Sequence, residues 1–221
     1  MSPAEIPDRL VADELQAHFA CATIGWRIIV LEQAGSTNDA ILQLASPQGA
    51  AVSSPPSPAR EGLVLFAEHQ TAGRGQRGNR WESAAGKGLW FSILLQPKIQ
   101  INDSAQLTIW VMKAISDVIR TEFSLKPKIK LPNDIQVHGR KVAGVLVEMR
   151  AQQKAPHMAI VGIGINVNQS PQDFPSELQN RAISLAMALH RPVDRQQFAV
   201  AVLRNLDRTY REKFVTEVTP L

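Results

Sequence analysis

Apolar residues recur along this chain with two different spacings, and each spacing predicts one kind of element. Continuous or alternating apolar runs predict strands. The predicted strands cover residues 28–31, 63–68, 89–95, 128–130, 135–137, 142–148 and 157–167. Apolar residues three and four positions apart predict helices. The predicted helices cover residues 9–22, 38–44, 104–123 and 195–214.

Polar residues and turn formers between these runs predict how the elements are joined. Ser36 and Thr37 are suitable caps for the helix at 38–44, and Ser104 is the N-cap candidate of the helix at 104–123. Gly139 predicts a hairpin turn. Strands interspersed with long helices predict one layered α/β (α+β) domain over residues 1–221, with a mostly antiparallel sheet because of the hairpin.

Composition narrows the class of protein. The chain has 221 residues, of which 44% are hydrophobic, so it can bury a core of enzyme size. A net charge of +4 favours an anionic ligand or an acidic partner without singling out nucleic acid. The only cysteine is Cys21, which excludes an internal disulfide framework. With no signal peptide and no apolar stretch of membrane-spanning length, we expect a cytoplasmic protein that does not bind membranes.

Two proline- or glycine-rich segments interrupt the predicted elements. Residues 53–59 contain several prolines, which cannot donate to a strand ladder, and predict an exposed loop. Residues 70–81 hold three glycines, three arginines and Trp81. Glycine lets backbone N–H groups approach an anion, and guanidinium groups bind carboxylate or phosphate oxygens in pairs. The segment therefore fits an anion cradle, although its composition equally fits a solvated surface loop.

The chain carries further candidate residues downstream of this loop. Lys130 and Lys141 bracket a predicted hairpin, where a lysine can stabilise developing negative charge. Asn133 offers a donor and an acceptor to a purine, but the sequence Pro-Asn-Asp around it also fits a simple turn. Gly162 and Gly164 lie in a predicted strand, where glycine indicates the close approach of a ligand or another backbone.

Taken in order, five blocks of the sequence resemble the signature blocks of biotin protein ligases. The blocks are residues 36–38, 73–78 with Trp81, 130–134, 139–144 and 162–168. The resemblance covers about residues 28–168 and implies a mixed, largely antiparallel central sheet backed by helices. Lipoate ligases and octanoyl transferases share this fold, so the fold alone does not name the acyl group.

The resemblance also implies roles for individual residues. Biotin binding is implied for Ser36, Thr37, Asn38, Gln70, Arg74, Gly75, Gln76 and Lys141. Binding of ATP or the adenylate is implied for Gly73, Arg77, Gly78, Trp81, Lys130, Asn133 and Asn166. Lys141, Arg74 and Lys130 would be the catalytic residues. No metal ligand is assigned in the protein, and Mg²⁺ would bridge phosphate oxygens.

The implied reaction has two steps. Biotin and ATP would form biotinyl-5′-AMP with release of pyrophosphate, and biotin would then pass to a lysine of a biotin carboxyl carrier protein.

A homodimer is also expected. We expect no DNA binding, because the segment before Gly25 is too short for a helix-turn-helix domain. The family's small C-terminal β domain is not expected either, because the chain ends at Leu221.

Some features depart from the family pattern or leave other functions open. Many members have arginine at the position of Gln76, so weaker retention of the adenylate is expected. The family often has tryptophan at the position of Leu131, where altered packing without loss of activity is expected. A lipoate protein ligase is the nearest alternative. A ligand-sensing module without transfer activity and a nucleic-acid binder are more distant ones. An octanoyl transferase would need a cysteine nucleophile, and Cys21 lies upstream of all five blocks.

Overall fold

The computed structural model describes residues 8–19, 22–45, 61–151 and 157–215. Within them lies one seven-stranded sheet. The strands are β1 (Arg27–Ala34), β2 (Leu63–Gln70), β3 (Gly88–Leu95), β4 (Lys128–Lys130), β5 (Asp134–Val137), β6 (Arg140–Arg150) and β7 (Met158–Asn166). Their spatial order is β1-β2-β3-β7-β6-β5-β4. β1 and β2 pair in parallel and the other neighbours pair antiparallel, which confirms the predicted mixed, largely antiparallel sheet.

Helices cover both faces of the sheet. They are α1 (Ala12–Gln16), α2 (Thr37–Ala45), α3 (Ala105–Phe123), α4 (Leu185–Leu189) and α5 (Arg195–Tyr210). Successive strand residues point to opposite faces, so Val64 and Phe66 of β2 pack into the larger core with α3 and α5. Leu65 faces the other way and packs against Ile41 of α2. Among the described helices, none is long and apolar enough to cross a membrane.

The first predicted helix differs most from the structure. The sequence predicts a helix over residues 9–22, but α1 ends at Gln16 and tight turns follow it. The helical spacing of Val11, Leu15 and Phe19 predicts that all three face the core; Leu15 and Phe19 are buried, whereas Val11 is 42% exposed. Phe19 reaches the core through the turn and lies against Gly25, where an added Cβ would be 3.0 Å from its ring.

Smaller differences occur at other helices. Ser104 occupies the predicted N-cap position of α3, but its side chain makes no capping hydrogen bond. α5 ends at Tyr210 and continues as a π-helical turn over Arg211–Val215. The short helix α4 has no predicted counterpart. The predicted loop at 53–59 and Cys21 lie outside the described residues.

A buried arginine joins α5 to the sheet. The side chain of Arg195 is 0% exposed, and its Nη1 lies 2.8 Å from Glu68 Oε2 and 3.0 Å from the carbonyl oxygen of Gly88. The second carboxylate oxygen of Glu68 accepts the backbone N–H of Leu10 at 2.7 Å. The ion pair between Arg195 and Glu68, with the hydrogen bonds that each makes, therefore connects the N-terminal segment, β2, β3 and α5 beneath the sheet.

Candidate active site

The predicted site residues converge on a cleft of about 520 Å³. Its walls come from the start of α2, the loop after β2, the β5–β6 hairpin, the middle of β6 and β7, and residues 174–182. Most of the predicted residues line it: Ser36, Thr37, Asn38, Gln70, Arg74, Gly75, Gln76, Trp81, Lys130, Asn133, Lys141 and Asn166. The structure therefore brings together residues separated by more than a hundred positions in the chain.

Three predicted residues do not line this cleft. Gly73 is buried under Trp81, where an added Cβ would be 2.6 Å from the Trp81 carbonyl oxygen. Arg77 is exposed and has a left-handed backbone with φ of 58°. Gly78 follows it with φ of 78°. Arg77 and Gly78 line a separate shallow depression on the outer side of the loop, where their backbone makes the turn.

The glycine-rich loop is folded on itself. The Gly75 N–H donates to the Asn79 carbonyl at 2.7 Å, and the Trp81 N–H donates to the Gly73 carbonyl at 2.9 Å. The side-chain amide of Asn79 donates to the Gln76 carbonyl at 2.9 Å. These bonds form a small hairpin that holds Arg74 and Trp81 at the cleft.

The ring of Trp81 packs against glycines of the sheet, where no side chain is in the way. Gly144 of β6 and Gly164 of β7 are cross-strand partners. An added Cβ would be 2.7 Å from the Trp81 ring at Gly144 and 2.5 Å at Gly164. Gly162, on the same face of β7, lies under Asn38, whose Oδ1 would be 2.3 Å from an added Cβ. The close approach at Gly162 and Gly164 is thus made by side chains, those of Asn38 and Trp81, and not by another backbone, while the approach of a ligand stays a prediction.

Substitution of Gly164 by alanine is expected to lower the free energy of unfolding by about 1–3 kcal/mol, because the new methyl group overpacks against the Trp81 ring. Urea denaturation measures this change. Gly35→Ala is the matched control, since a Cβ at Gly35 meets nothing within 4 Å. Equal stability of the Gly164 variant and the wild type would contradict the close packing of the indole on β7.

Lys141 is fixed by contacts on several sides. Its Nζ lies 2.7 Å from Asp134 Oδ1 and 4.9 Å from the centre of the Trp81 ring. Its backbone N–H donates to the Arg181 carbonyl at 2.8 Å, and its carbonyl accepts the Ile183 N–H at 2.9 Å. A lysine ammonium has three donors, so the bond to Asp134 leaves capacity for a ligand anion in the cleft.

Arg74 lies between two carboxylates. Its Nη2 is 2.8 Å from Glu148 Oε2 and 2.9 Å from Asp39 Oδ1. Asn38 Nδ2 also donates to Glu148 Oε2, at 2.7 Å. These contacts connect α2, β6 and the glycine-rich loop. Five guanidinium donors allow Arg74 to bind a further anion while part of this network is kept.

A buried polar network supports the base of α2. The backbone N–H of Thr37 donates to Gln70 Oε1 at 2.9 Å, and Thr37 Oγ1 lies 3.2 Å from the same oxygen. Ser92 Oγ lies 2.8 Å from Thr37 Oγ1 and 2.6 Å from Asn38 Oδ1. Ser92 was not among the predicted site residues, although it is the one polar residue within the apolar run of β3.

Two predicted asparagines hold the backbone of the cleft, and one predicted lysine lies at its rim. Asn133 Nδ2 donates to the Val145 carbonyl at 2.9 Å. Asn166 is buried, and its Nδ2 donates to the Ile183 carbonyl at 3.2 Å while its Oδ1 accepts from Gln169 at 3.1 Å. Lys130 is exposed on β4. Nucleotide contacts by these residues stay a prediction.

Residues 174–182 form a wall of the cleft that the sequence analysis missed. Phe174, Leu178 and Arg181 of this segment line the cleft, and the backbone of Ala182 forms a β-bridge with Lys141. The turn before this wall is capped by Asp173. Burial raises the pKa of Asp173, but hydrogen bonds from the backbone N–H and hydroxyl of Ser170 outweigh burial and hold the pKa below its usual value.

The chain belongs to the biotin/lipoate A/B protein ligase family, whose family model matches residues 46–166. It is 34% identical over 215 residues to the bifunctional ligase/repressor BirA of Bacillus subtilis. The aligned region covers 97% of this chain and 63% of that relative. It is 32% identical over 188 residues to a biotin–[acetyl-CoA-carboxylase] ligase of Mycobacterium tuberculosis, and that alignment covers 83% of this chain and 64% of the relative. The chain thus spans less than two thirds of both curated relatives.

A solved structure of the family has the same fold. The biotin protein ligase from Aquifex aeolicus, in complex with biotin and ATP, superimposes with a TM-score of 0.66 at 32% identity. The match covers 85% of this chain and 72% of the Aquifex aeolicus chain. This likeness confirms the predicted sheet backed by helices.

Proposed function

We propose that residues 1–221 form the catalytic domain of an ATP-dependent biotin protein ligase. The observation that carries the proposal is the single cleft in which Lys141 and Arg74 lie with the buried polar network at the start of α2. Among the relatives, the Aquifex aeolicus enzyme binds biotin and ATP, and the Mycobacterium tuberculosis relative is a biotin–[acetyl-CoA-carboxylase] ligase.

The first step would join two anions. An oxygen of the biotin carboxylate attacks the α-phosphorus of ATP, the bond to the β-phosphate oxygen breaks, and pyrophosphate leaves. Fixed positive charge must therefore lie where negative charge accumulates. Lys141 and Arg74 would supply it inside the cleft, and Lys130 would act at the rim near the phosphates. Positioning of both substrates supplies much of the remaining acceleration.

The two substrates would occupy neighbouring parts of the cleft. The bicyclic end of biotin would bind at Ser36, Thr37, Asn38 and Gln70, with Gly75 and Gln76 closing over it. The nucleotide would be held by Trp81, Asn133 and Asn166. The loop residues Gly73, Arg77 and Gly78, which do not line the cleft, would act by shaping the loop that carries Trp81. Because Gln76 carries no charge, we expect the adenylate to be held less tightly than by an arginine.

Magnesium would enter with the phosphates of ATP. Mg²⁺ keeps several waters and is usually bound through one or two carboxylates together with phosphate oxygens. The described part of the chain contains no group of three or more His, Cys, Asp or Glu side chains placed to hold a metal ion. The cleft contains the carboxylates of Glu82 and Asp134, so the donors present fit an ion that arrives bound to ATP. Such an ion would neutralise charge on the phosphate oxygens.

The second step would transfer biotin to a partner protein. The amine of a carrier lysine attacks the carbonyl carbon of biotinyl-AMP, the mixed anhydride breaks, and AMP leaves as the amine loses a proton. No covalent enzyme intermediate is needed. The carrier would be a biotin carboxyl carrier protein of a biotin-dependent carboxylase. We propose a cytoplasmic enzyme that can form a homodimer.

Mass spectrometry of single reaction mixtures tests the proposal. The protein is incubated with magnesium-ATP and either biotin or lipoate, and the products are searched for the acyl-adenylate. Biotinyl-AMP without lipoyl-AMP is the expected result. Lipoyl-AMP alone would overturn the proposal in favour of a lipoate ligase, and biotin binding without any adenylate would overturn it in favour of a sensor.

A further inference from the structure

Five polar side chains form one continuous row beneath the cleft. In spatial order they are Glu148, Asn38, Ser92, Thr37 and Gln70, joined by contacts of 2.7, 2.6, 2.8 and 3.2 Å. Ser92 is fully buried on β3, and it is not among the residues that line the cleft. Any effect of Ser92 on a ligand therefore acts through its neighbours.

The two ends of this row fix the orientation of both amides. A carboxylate only accepts hydrogen bonds, so Asn38 must direct its Nδ2 toward Glu148 and its Oδ1 toward Ser92. A backbone N–H only donates, so Gln70 must direct its Oε1 toward the Thr37 N–H at 2.9 Å. The Nε2 donors of Gln70 then remain on the opposite side of that amide.

The hydroxyl hydrogens follow from these orientations. Ser92 has one hydrogen, and the amide oxygen of Asn38 at 2.6 Å can only accept it. The contact between Ser92 and Thr37 at 2.8 Å therefore requires the Thr37 hydroxyl to donate. Its other inward neighbour, Gln70 Oε1, is also an acceptor. Either way the hydrogen of Thr37 points into the protein, and a lone pair is left for the cleft.

We infer that Ser92 is a positioning residue that determines which acyl group the cleft accepts. Through Ser92, Thr37 presents an acceptor to the cleft, and Gln70 presents donors beside it. That pair complements a ligand with an N–H group next to a carbonyl, as in the cyclic urea of biotin. A dithiolane ring has neither group, so the same polarity disfavours it, because buried donors and acceptors would lose their partners. The inference rests on the proposed function and deepens it.

Calorimetric titration of Ser92→Ala tests the inference. Without the serine the Thr37 hydroxyl loses its 2.8 Å inward contact and keeps only the longer one to Gln70 Oε1 at 3.2 Å, so its hydrogen is held inward less firmly. We expect the dissociation constant for biotin to rise about five- to tenfold, the effect of one neutral hydrogen bond. Biotin methyl ester should lose affinity by the same factor, since it keeps the urea and changes only the carboxylate. Affinity for ATP should not change. Ser92→Cys, whose thiol is a weak donor of similar volume, should lie between the wild type and the alanine variant.

The outcomes separate the inference from the proposed function. Unchanged biotin affinity in both Ser92 variants, with normal binding by the wild type, would overturn the role of Ser92 and leave the ligase proposal intact. An equal loss for biotin and ATP would also overturn it, because a general structural defect weakens both. If the wild-type protein itself bound no biotin, the proposed function would fail instead.

Discussion

Replacing Lys141 by alanine is expected to slow the formation of biotinyl-AMP about a hundredfold to a thousandfold, as removal of one fixed donor from a developing anion does in other active sites. The ammonium lies in the cleft, 2.7 Å from Asp134 and 4.9 Å from the Trp81 ring centre. Its loss removes positive charge from the place where, in the proposed reaction, the carboxylate and the α-phosphate would meet. Single-turnover kinetics with quantification of the adenylate measures the effect.

The matched control for this variant is Lys128→Ala. Lys128 is exposed on β4 of the same part of the sheet and does not line the cleft, so its removal changes the net charge equally without touching the site. We expect its rate to equal that of the wild type. A similar fall in both variants would mean that overall charge, and not the position of Lys141, controls the reaction.

Replacing Arg195 by methionine is expected to lower the free energy of unfolding by about 3–5 kcal/mol, because removal of one member of a buried ion pair leaves the other charge without a partner. Glu68 would keep its carboxylate under the sheet while losing the guanidinium 2.8 Å away. Urea denaturation followed by circular dichroism measures the loss.

An exposed ion pair on the same helix provides the comparison. Arg208 lies 2.8 Å from Glu212, with about 58% of its side chain exposed. We expect Arg208→Met to change stability by less than about 1 kcal/mol, as for most surface pairs. The double variant Arg195→Met with Glu68→Leu should regain part of the loss, because no buried carboxylate is then left unpaired. Asp8, which also pairs with Arg195 at 3.1 Å, is 43% exposed and can be solvated. A loss in the double variant as large as in Arg195→Met would argue against the stranded carboxylate as the cause.

The central strands β2, β3 and β7 were predictable because their apolar runs are long and are largely buried on both faces. β3, for example, is buried at each of its positions, and its predicted range differs from the observed one by a single residue. The prediction for residues 9–22 failed because burial of Leu15 and Phe19 looks the same in a sequence whether a helix or a turn produces it. Helix α4 is only five residues long, too short for a helical period to be recognised.

The candidate site was predictable where residue types are unusual for their surroundings. The glycine-rich loop and Lys141 stand out in this way, and the resemblance supplied the rest. Glu148 and Ser92 could not be found, since their importance comes from partners far away in the chain. Arg74 and Glu148 are separated by 74 positions and meet only after β6 has taken its place in the sheet. Such pairings depend on topology and leave no local pattern.

The central pairing of β3 with β7 divides the cleft into two contributions. Thr37, Gln70 and Trp81 come from the chain up to β3, whereas Lys141 and Gly164 come from the chain after α3. Eight residue pairs, from Gly88 with Asn166 to Leu95 with Ala159, join the two parts. Neither half of the polypeptide holds a working set of groups by itself. Ligand binding therefore requires that β3 and β7 remain paired. A ligand that contacts both halves would stabilise the folded domain against separation of these two strands.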